Sequence, residues 1–370
     1  MSQAQPSTPN DSPERRAVKR ARMDSKPGDD DQTSLNTSNK GNNSDRFWFD
    51  DGNVVLLVEG TLFRVHRGVL ARHSPVFRDM FKLPQPPLSQ EDMVDGCPTV
   101  EFHGDRKEDW VNVFTLIYDH ETSYKNKDNF NLPVLTSMLR LGRKYQIEII
   151  YKAAISRLRA IVPTTFQEMT KNKSSPHPLL KADDTLFSLL SVVLELGIQR
   201  FMPMLFYYCI SEYSLEQIIK RHSGPNSELP YDCIAKLVLG REDLMSSINK
   251  NHLAWALAAD VTAGGKCKSM NVHYYGTSNP CNLFRANAAT AIVIKSVTPD
   301  VRLALMPGNA DYLRLFDSTD GQAANRNNQV KPCEECAKEI IRLQNAYRSR
   351  VWDNLPAFFR LPKWESLEAL

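Results

Sequence analysis

Val54-Val55-Leu56-Leu57-Val58 is an unbroken apolar run rich in β-branched side chains, the pattern of a strand buried on both faces. Glu59-Gly60 follows as a turn. Phe63 and Val65 then alternate with Leu62, Arg64 and His66, as a returning strand would. Next the period changes: Val69, Leu70, His73, Val76, Phe77, Met80 and Phe81 recur at helical three- and four-residue spacing. Ser74-Pro75 divides this run, with Ser74 suited to an N-cap and Pro75 to the first helical position. The pattern predicts a hairpin feeding two short helices.

Further on, residues 83–96 read as a loop broken by prolines, and Thr99-Val100-Glu101-Phe102 as a strand. Asp105 and Glu108 have capping-box spacing ahead of a helix whose stripe is Trp110, Val113, Phe114 and Ile117. Residues 120–130 are polar and read as an exposed insertion. Pro133 opens a helix carrying Leu135, Met138 and Leu139, and the next one buries Ile147, Ile150, Tyr151, Ala154 and Leu158 before Pro163. The expected core of this α+β unit, residues 46–163, includes Val55, Leu57, Phe63, Leu70, Phe77, Phe114, Ile117 and Leu139.

Residues 164–182 read as a linker, and beyond it strand signals largely vanish. Leu186, Leu189, Leu190, Val193, Leu194 and Leu196 form an apolar helix with Gly197 near its end. Pro203 opens another through Ile210, Ser214-x-x-Gln217 caps a third, and a fourth through Leu237 and Leu239 ends at Gly240. Helices are expected through Trp255 and Ala259, over 286–295 and over 333–352. Residues 264–281 and 308–330 are loop-like or polar. The predicted C-terminal domain, 183–370, is therefore mostly α-helical.

Composition changes the picture mainly at the N-terminus. Residues 1–45 are polar with almost no aliphatic side chains, so they cannot bury enough apolar surface to offset ordering entropy, and disorder is expected. Within them Arg15-Arg16-Ala17-Val18-Lys19-Arg20-Ala21-Arg22 is a basic cluster. It reads either as a nuclear-import signal on a flexible tether or as a solvated charge run. The net charge of +3 is too small to argue for nucleic acid or acidic membranes. No apolar run approaches the ~18–20 residues that span a bilayer, and the first ten residues lack a secretory signal's apolar core. Seven cysteines, an odd count, suggest no disulfide framework. An intracellular setting follows, in nucleus or cytoplasm.

Candidate chemistry is sparse. The sequence holds no Walker-type loop, no Gly-x-Gly-x-x-Gly after a strand, no His-Glu-x-x-His and no Gly-x-Ser-x-Gly. His66 and His73 have no nominated partner base or nucleophile and read as histidines between core and surface. The cysteines are the exception. Cys333-Glu334-Glu335-Cys336 is a Cys-x-x-Cys pair, and Cys267 and Cys281 lie in polar, Gly/Asn/Pro-rich surroundings. Four thiolates would complete a structural zinc site. The competing reading places Cys333 and Cys336 in the core, on the helical stripe of Ile340, Leu343 and Tyr347. A redox role is disfavoured by Glu334 and Glu335. Cys97, Cys209 and Cys233 read as ordinary buried thiols.

The stretch from Asn53 to Phe63, with Val65-His66-Arg67-Gly68-Val69-Leu70, Ser74-Pro75-Val76-Phe77 and Met80-Phe81, resembles the start of a BTB/POZ domain. Trp110 to Tyr118 and Leu141-Gly-Arg-Lys-Tyr-Gln-Ile147 resemble its later helices. Asn53 stands where many members carry Asp. The ending Trp352, Leu355, Pro356, Phe359, Leu361, Pro362 and Trp364 resembles that of BTB proteins expanded in mushroom-forming fungi. The resemblance implies a small sheet covered by helices, and a non-enzymatic interaction module that self-associates or binds a partner protein. A homodimer and a nuclear regulator fit that role, with no direct nucleic-acid contact and no membrane. The alternative within the class is a substrate adaptor for a cullin-type ubiquitin ligase. There the family's hydrophobic-x-Glu element is met by Leu88-Ser89-Gln90, with Glu91 one place late. An alternative of another class is an enzyme in the helical domain using Cys333 and Cys336.

Overall fold

The computed structural model describes residues 41–84, 93–119, 131–171, 178–180, 185–221, 229–248, 250, 267–268, 280–295, 301–305 and 331–367. The basic cluster at 15–22, the segment 88–91, the insertion at 120–130, the helix expected through Trp255 and the polar segment 308–330 lie outside them.

Strands β1 (Asn42–Trp48), β2 (Val54–Val58) and β3 (Thr61–Val65) come first. Glu59 and Gly60 both take positive φ, 45° and 72°, a two-residue turn whose twist matches the strands it joins. Val58 accordingly faces Thr61, and Val54 faces Val65. Two further strands, β4 (Met93–Val94) and β5 (Cys97–Phe102), complete a sheet of order β1-β3-β2-β5-β4. β2 lies between antiparallel β3 and parallel β5, which is why its side chains read as a continuous apolar run. Alternation then separates them. Val54, Leu56 and Val58 enter the main core with Phe63, whereas Val55 joins a small second cluster with Leu62 and Cys97, with Leu57 half-buried at its margin. Val55 and Leu57, expected in the same core as Phe63, thus serve the opposite face. Residues 42–45, expected in the disordered tail, lie in β1, where Asn42 and Asn43 pair in parallel with Thr61 and Leu62 without any apolar side chain of their own.

Helices α1 (Arg67–His73) and α2 (Pro75–Met80) divide at Ser74 as the sequence predicts. Ser74 Oγ accepts from the Phe77 N–H at 3.1 Å and donates to the Tyr145 carbonyl at 2.5 Å. Phe77 is fully buried, stacked on Tyr145 at 4.9 Å and edge-on to Trp110 at 5.9 Å. Helix α3 (Lys107–Tyr118) lacks the capping box expected from Asp105 and Glu108: its N-cap is Arg106, without a side-chain bond. Glu59 accepts from the Lys107 N–H instead, at 3.0 Å. Asp105 is taken by a tertiary demand, accepting from Trp110 Nε1 (3.0 Å), Lys144 Nζ (2.6 Å) and the Tyr145 hydroxyl (2.5 Å). Leu116 occupies the core in place of Ile117, which is half-buried. Helix α4 (Leu132–Lys144) packs against both α3 and α5 (Glu148–Ile161).

The stretch expected as a linker carries a helix, α6 (Phe166–Lys171), and a 3-10 turn, Pro178–Leu180. Met169 and Leu180 are buried there, in the same hydrophobic cluster as Phe47 and Phe77. Helices α7 (Thr185–Glu195), α8 (Met202–Glu212), α9 (Leu215–Lys220), α10 (Tyr231–Ser247), α11 (Pro280–Lys295) and α12 (Glu334–Phe358) follow. Every residue of α8 from Met202 to Ile210 is buried, as expected of a helix that is apolar all round. The capping box of α9 forms, Ser214 Oγ accepting from the Gln217 N–H at 3.2 Å. Gly240 does not end its helix. It is a notch in α10 that receives Phe359, since a Cβ built there would lie 2.3 Å from Phe359 Cδ1.

The C-terminal ending closes on itself. Pro356 lies inside α12 and has no N–H to give to the carbonyl of Trp352, one turn back. The indole N–H of Trp364 fills that vacancy, donating to the Trp352 carbonyl at 2.8 Å. The two indoles stack 4.9 Å apart and 9° from parallel, and Arg200 lies over Trp364. Among the described residues, no helix is long and apolar enough to cross a membrane.

Candidate functional site

Helix α12 begins where its sequence turns polar. Cys333 is its N-cap residue, extended at φ −62° and ψ 162°, and Cys336 stands in the first turn. Cys281 occupies the first turn of α11, and Cys267 lies in a short non-helical piece with Lys268. The structure brings all four sulfurs within 4.8 Å of one another. Cys267 Sγ is 3.9 Å from Cys333 Sγ, and the Cys333 N–H donates to Cys281 Sγ at 3.1 Å across 52 residues of chain. Cys267, Cys281 and Cys336 are buried at 6%, 2% and 3% exposure, with Cys333 half-buried. They pack on each other and form a cluster separate from the main core. By contrast Cys209 and Cys233 sit in the main core among aliphatic and aromatic side chains, and Cys97 on the second face of the sheet.

The electrostatics of the four thiols differ. Burial raises Cys281 and Cys336 above the ordinary thiol range. Burial also pulls Cys333 upward, but backbone N–H groups of Cys336 and Lys268, with the neighbouring sulfurs, outweigh it and bring that thiol down to about 6. Glu334 and Glu335, expected to disfavour a thiolate, are engaged by cations. Lys268 Nζ stands 3.6 Å and 4.0 Å from their carboxylates, and Lys338 Nζ 2.7 Å and 3.3 Å. The sequence reading missed Lys268, whose one available signal was adjacency to Cys267.

His66 has partners the sequence did not nominate. Its Nε2 is 3.1 Å from Asp51 Oδ1, its Nδ1 is 3.3 Å from the Tyr118 hydroxyl, and the Phe49 ring packs 5.2 Å away. The His66 hydrogen bond holds the exposed Asp51 carboxyl below its ordinary value. Burial raises the Tyr118 phenol against the His66 N–H bond that favours its anion. A nucleophile is missing from this chain of contacts, and a phenol raised by burial is not one. His73 is half-buried at the rim of a concavity of about 750 Å³ lined by Arg72, Arg78, Arg143, Ile149 and Tyr151. Among the described residues, that lining offers cations but no serine, threonine or cysteine.

No curated protein and no solved structure matches this chain. A family model does: the BTB/POZ domain, over residues 48–161. The match spans β2 through α5, the central sheet strand, the Ser74-divided helix pair and the Phe77–Trp110–Tyr145 aromatic core. Residues 48–161 of this chain are a BTB/POZ domain, followed by a mostly helical C-terminal region.

Proposed function

We propose that the protein works by binding other proteins and not by making or breaking bonds. Its BTB/POZ domain joins a partner protein or a second copy of the chain, and the protein serves as a nuclear regulator without touching nucleic acid itself. The observation that carries this reading is the family match over 48–161, a class whose general role is protein–protein interaction through burial of surface at an interface. The chemistry agrees: among the described residues, neither the Asp51–His66–Tyr118 contacts nor the arginine-lined concavity sets a nucleophile beside a base. The nuclear assignment rests on the basic cluster at 15–22.

The test uses the full chain, because one hydrophobic cluster joins the BTB/POZ domain to the C-terminal helices and deleting either would tear it. Tagged protein is cross-linked in cells, purified, and its cross-links mapped by mass spectrometry. The expected result is links from residues 48–161 to a second copy or to a chromatin-associated protein, with a dimer in sedimentation at micromolar concentration. A cullin linked to the same residues would support the adaptor role instead. A monomer whose partner links all fall outside 48–161 would overturn the proposal.

A further inference from the structure

The four cysteines come from three separate stretches of the chain, so local structure alone does not bring them together, and their surroundings are unlike those of the core thiols Cys209 and Cys233. Three are buried and Cys333 is half-buried, yet among the described residues their cluster contains no Leu, Ile, Val or Phe; its members are the four cysteines alone. Side chains that gain little from one another by apolar contact need another reason to meet. We propose that they bind one zinc ion as a closed tetrathiolate site, clamping the Cys267 segment and the start of α11 onto the start of α12.

Three observations support zinc. The first is spacing. Four ligands about 2.3 Å from a tetrahedral zinc stand about 3.8 Å from each other, and here all four sulfurs lie within 4.8 Å, with one pair at 3.9 Å. The second is charge. All four sulfurs bind as thiolates, and with Zn²⁺ they leave a complex of net charge −2 that needs compensation. Cys281 lies in the first turn of α11, and Cys333 and Cys336 open α12, so two helix N-termini meet at the cluster. The backbone N–H of Lys268 faces Cys333, and the N–H of Cys333 already points at Cys281 Sγ. The third is the donor set. Thiolates alone in a tetrahedron select zinc or iron over harder ions. With all four positions filled by protein, no place remains for water or substrate, so the site is structural and not catalytic.

The experiment takes the full-length protein, purified under reductant without chelators. Native mass spectrometry and elemental analysis should find one zinc per chain. Cobalt exchanged into the site should show the near-ultraviolet sulfur-to-metal charge transfer and the strong visible bands of a tetrahedral thiolate site. Cys336→Ser should abolish metal binding. Because that variant could lose metal merely by misfolding, Cys336→His serves beside it. It should retain one zinc while the cobalt charge-transfer band falls to that of three thiolates, a change that loss of packing would not produce. Iron in place of zinc, a disulfide among the four, or a metal-free native protein whose four thiols alkylate at the rate of exposed cysteines would each overturn the proposal. So would full metal retention with an unchanged cobalt spectrum in Cys336→His.

Discussion

Substituting Trp364 by Phe keeps an aromatic ring over Trp352 while deleting the indole N–H. The deleted donor serves a carbonyl that has no helical partner, since Pro356 occupies the position one turn on. Trp352 and Trp364 are 4% and 8% exposed, so water is a poor substitute, and an unsatisfied buried acceptor costs about 1–3 kcal/mol. Trp364→Phe also loses ring volume and part of the Arg200 contact, and these losses blur the single measurement. A double-mutant cycle separates them. Pro356→Ala supplies a backbone N–H that, in helical geometry, donates to the same Trp352 carbonyl. In the Pro356→Ala background the volume and Arg200 losses persist, but the orphaned acceptor does not. Trp364→Phe should therefore cost about 1–2 kcal/mol less there than in the parent. Urea unfolding of the four proteins, with equal m-values, reads that difference directly. An equal cost in both backgrounds would refute the idea that the indole substitutes for the missing proline N–H, and would leave Trp364 as a packing residue only.

Gly240→Ala should destabilise by about 1–3 kcal/mol through overpacking, outweighing up to ~1 kcal/mol of helix propensity, because the new Cβ would meet Phe359 Cδ1 at 2.3 Å. Gly68→Ala in α1, where a Cβ meets nothing within 4 Å, should stabilise instead, and a raised urea midpoint for Gly240→Ala would contradict the notch. Burial, reinforced by Asp105, raises Tyr145, and burial raises Tyr208. Below the unfolded-chain value of about 10 both states hold the proton; above it only the folded state does, so stability falls as pH climbs. Absorbance titration should show a set of the twelve tyrosines ionising only with unfolding, and all twelve ionising together in folded protein would refute this.

The BTB/POZ domain was legible because its signals are local. A two-period run, a two-residue turn and a Ser-Pro division each fix their own few residues, and Ser74 caps where its sequence position says it should. What failed there failed for tertiary reasons. Asp105 and Glu108 have the spacing of a cap, but Asp105 meets three donors, Trp110 in α3 and Lys144 and Tyr145 at the end of α4, that no spacing records. Val55 and Leu57 were recognisably apolar, but the second face of the sheet was not recognisable as a separate cluster. Gly240 reads as a stop signal because glycine usually ends helices; that it instead admits a ring from the chain's far end is a property of the assembled fold. For the cysteines, composition marked Cys267 and Cys281 as out of place among polar neighbours. Whether they meet Cys333 and Cys336 depended on the course of the chain across the 52-residue separation of Cys281 and Cys333, which pairwise spacing does not determine.

These details converge on α12. A helix of 25 residues spans about 37 Å, far longer than its own hydrogen bonds would hold steady in water. It is fastened along its length by different means. At its start stand the four sulfurs, a cluster separate from the main core. In the middle Arg348 is buried, donating to the Leu305 carbonyl at 2.7 Å and reaching Met169 and the Phe166 ring. At its end Phe359 enters the Gly240 notch, and Trp364 returns to Trp352. The middle contact gives the helix after the BTB/POZ domain a tertiary anchor: half-buried Phe166 and buried Met169 are the surface on which that guanidinium rests. Burial lowers Arg348 from the ordinary guanidinium range, a cost offset only while carbonyl, sulfur and ring stay in place. The apparent linker is thus bound by a side chain from the last helix, and the BTB/POZ domain and the C-terminal helices share that contact through α6.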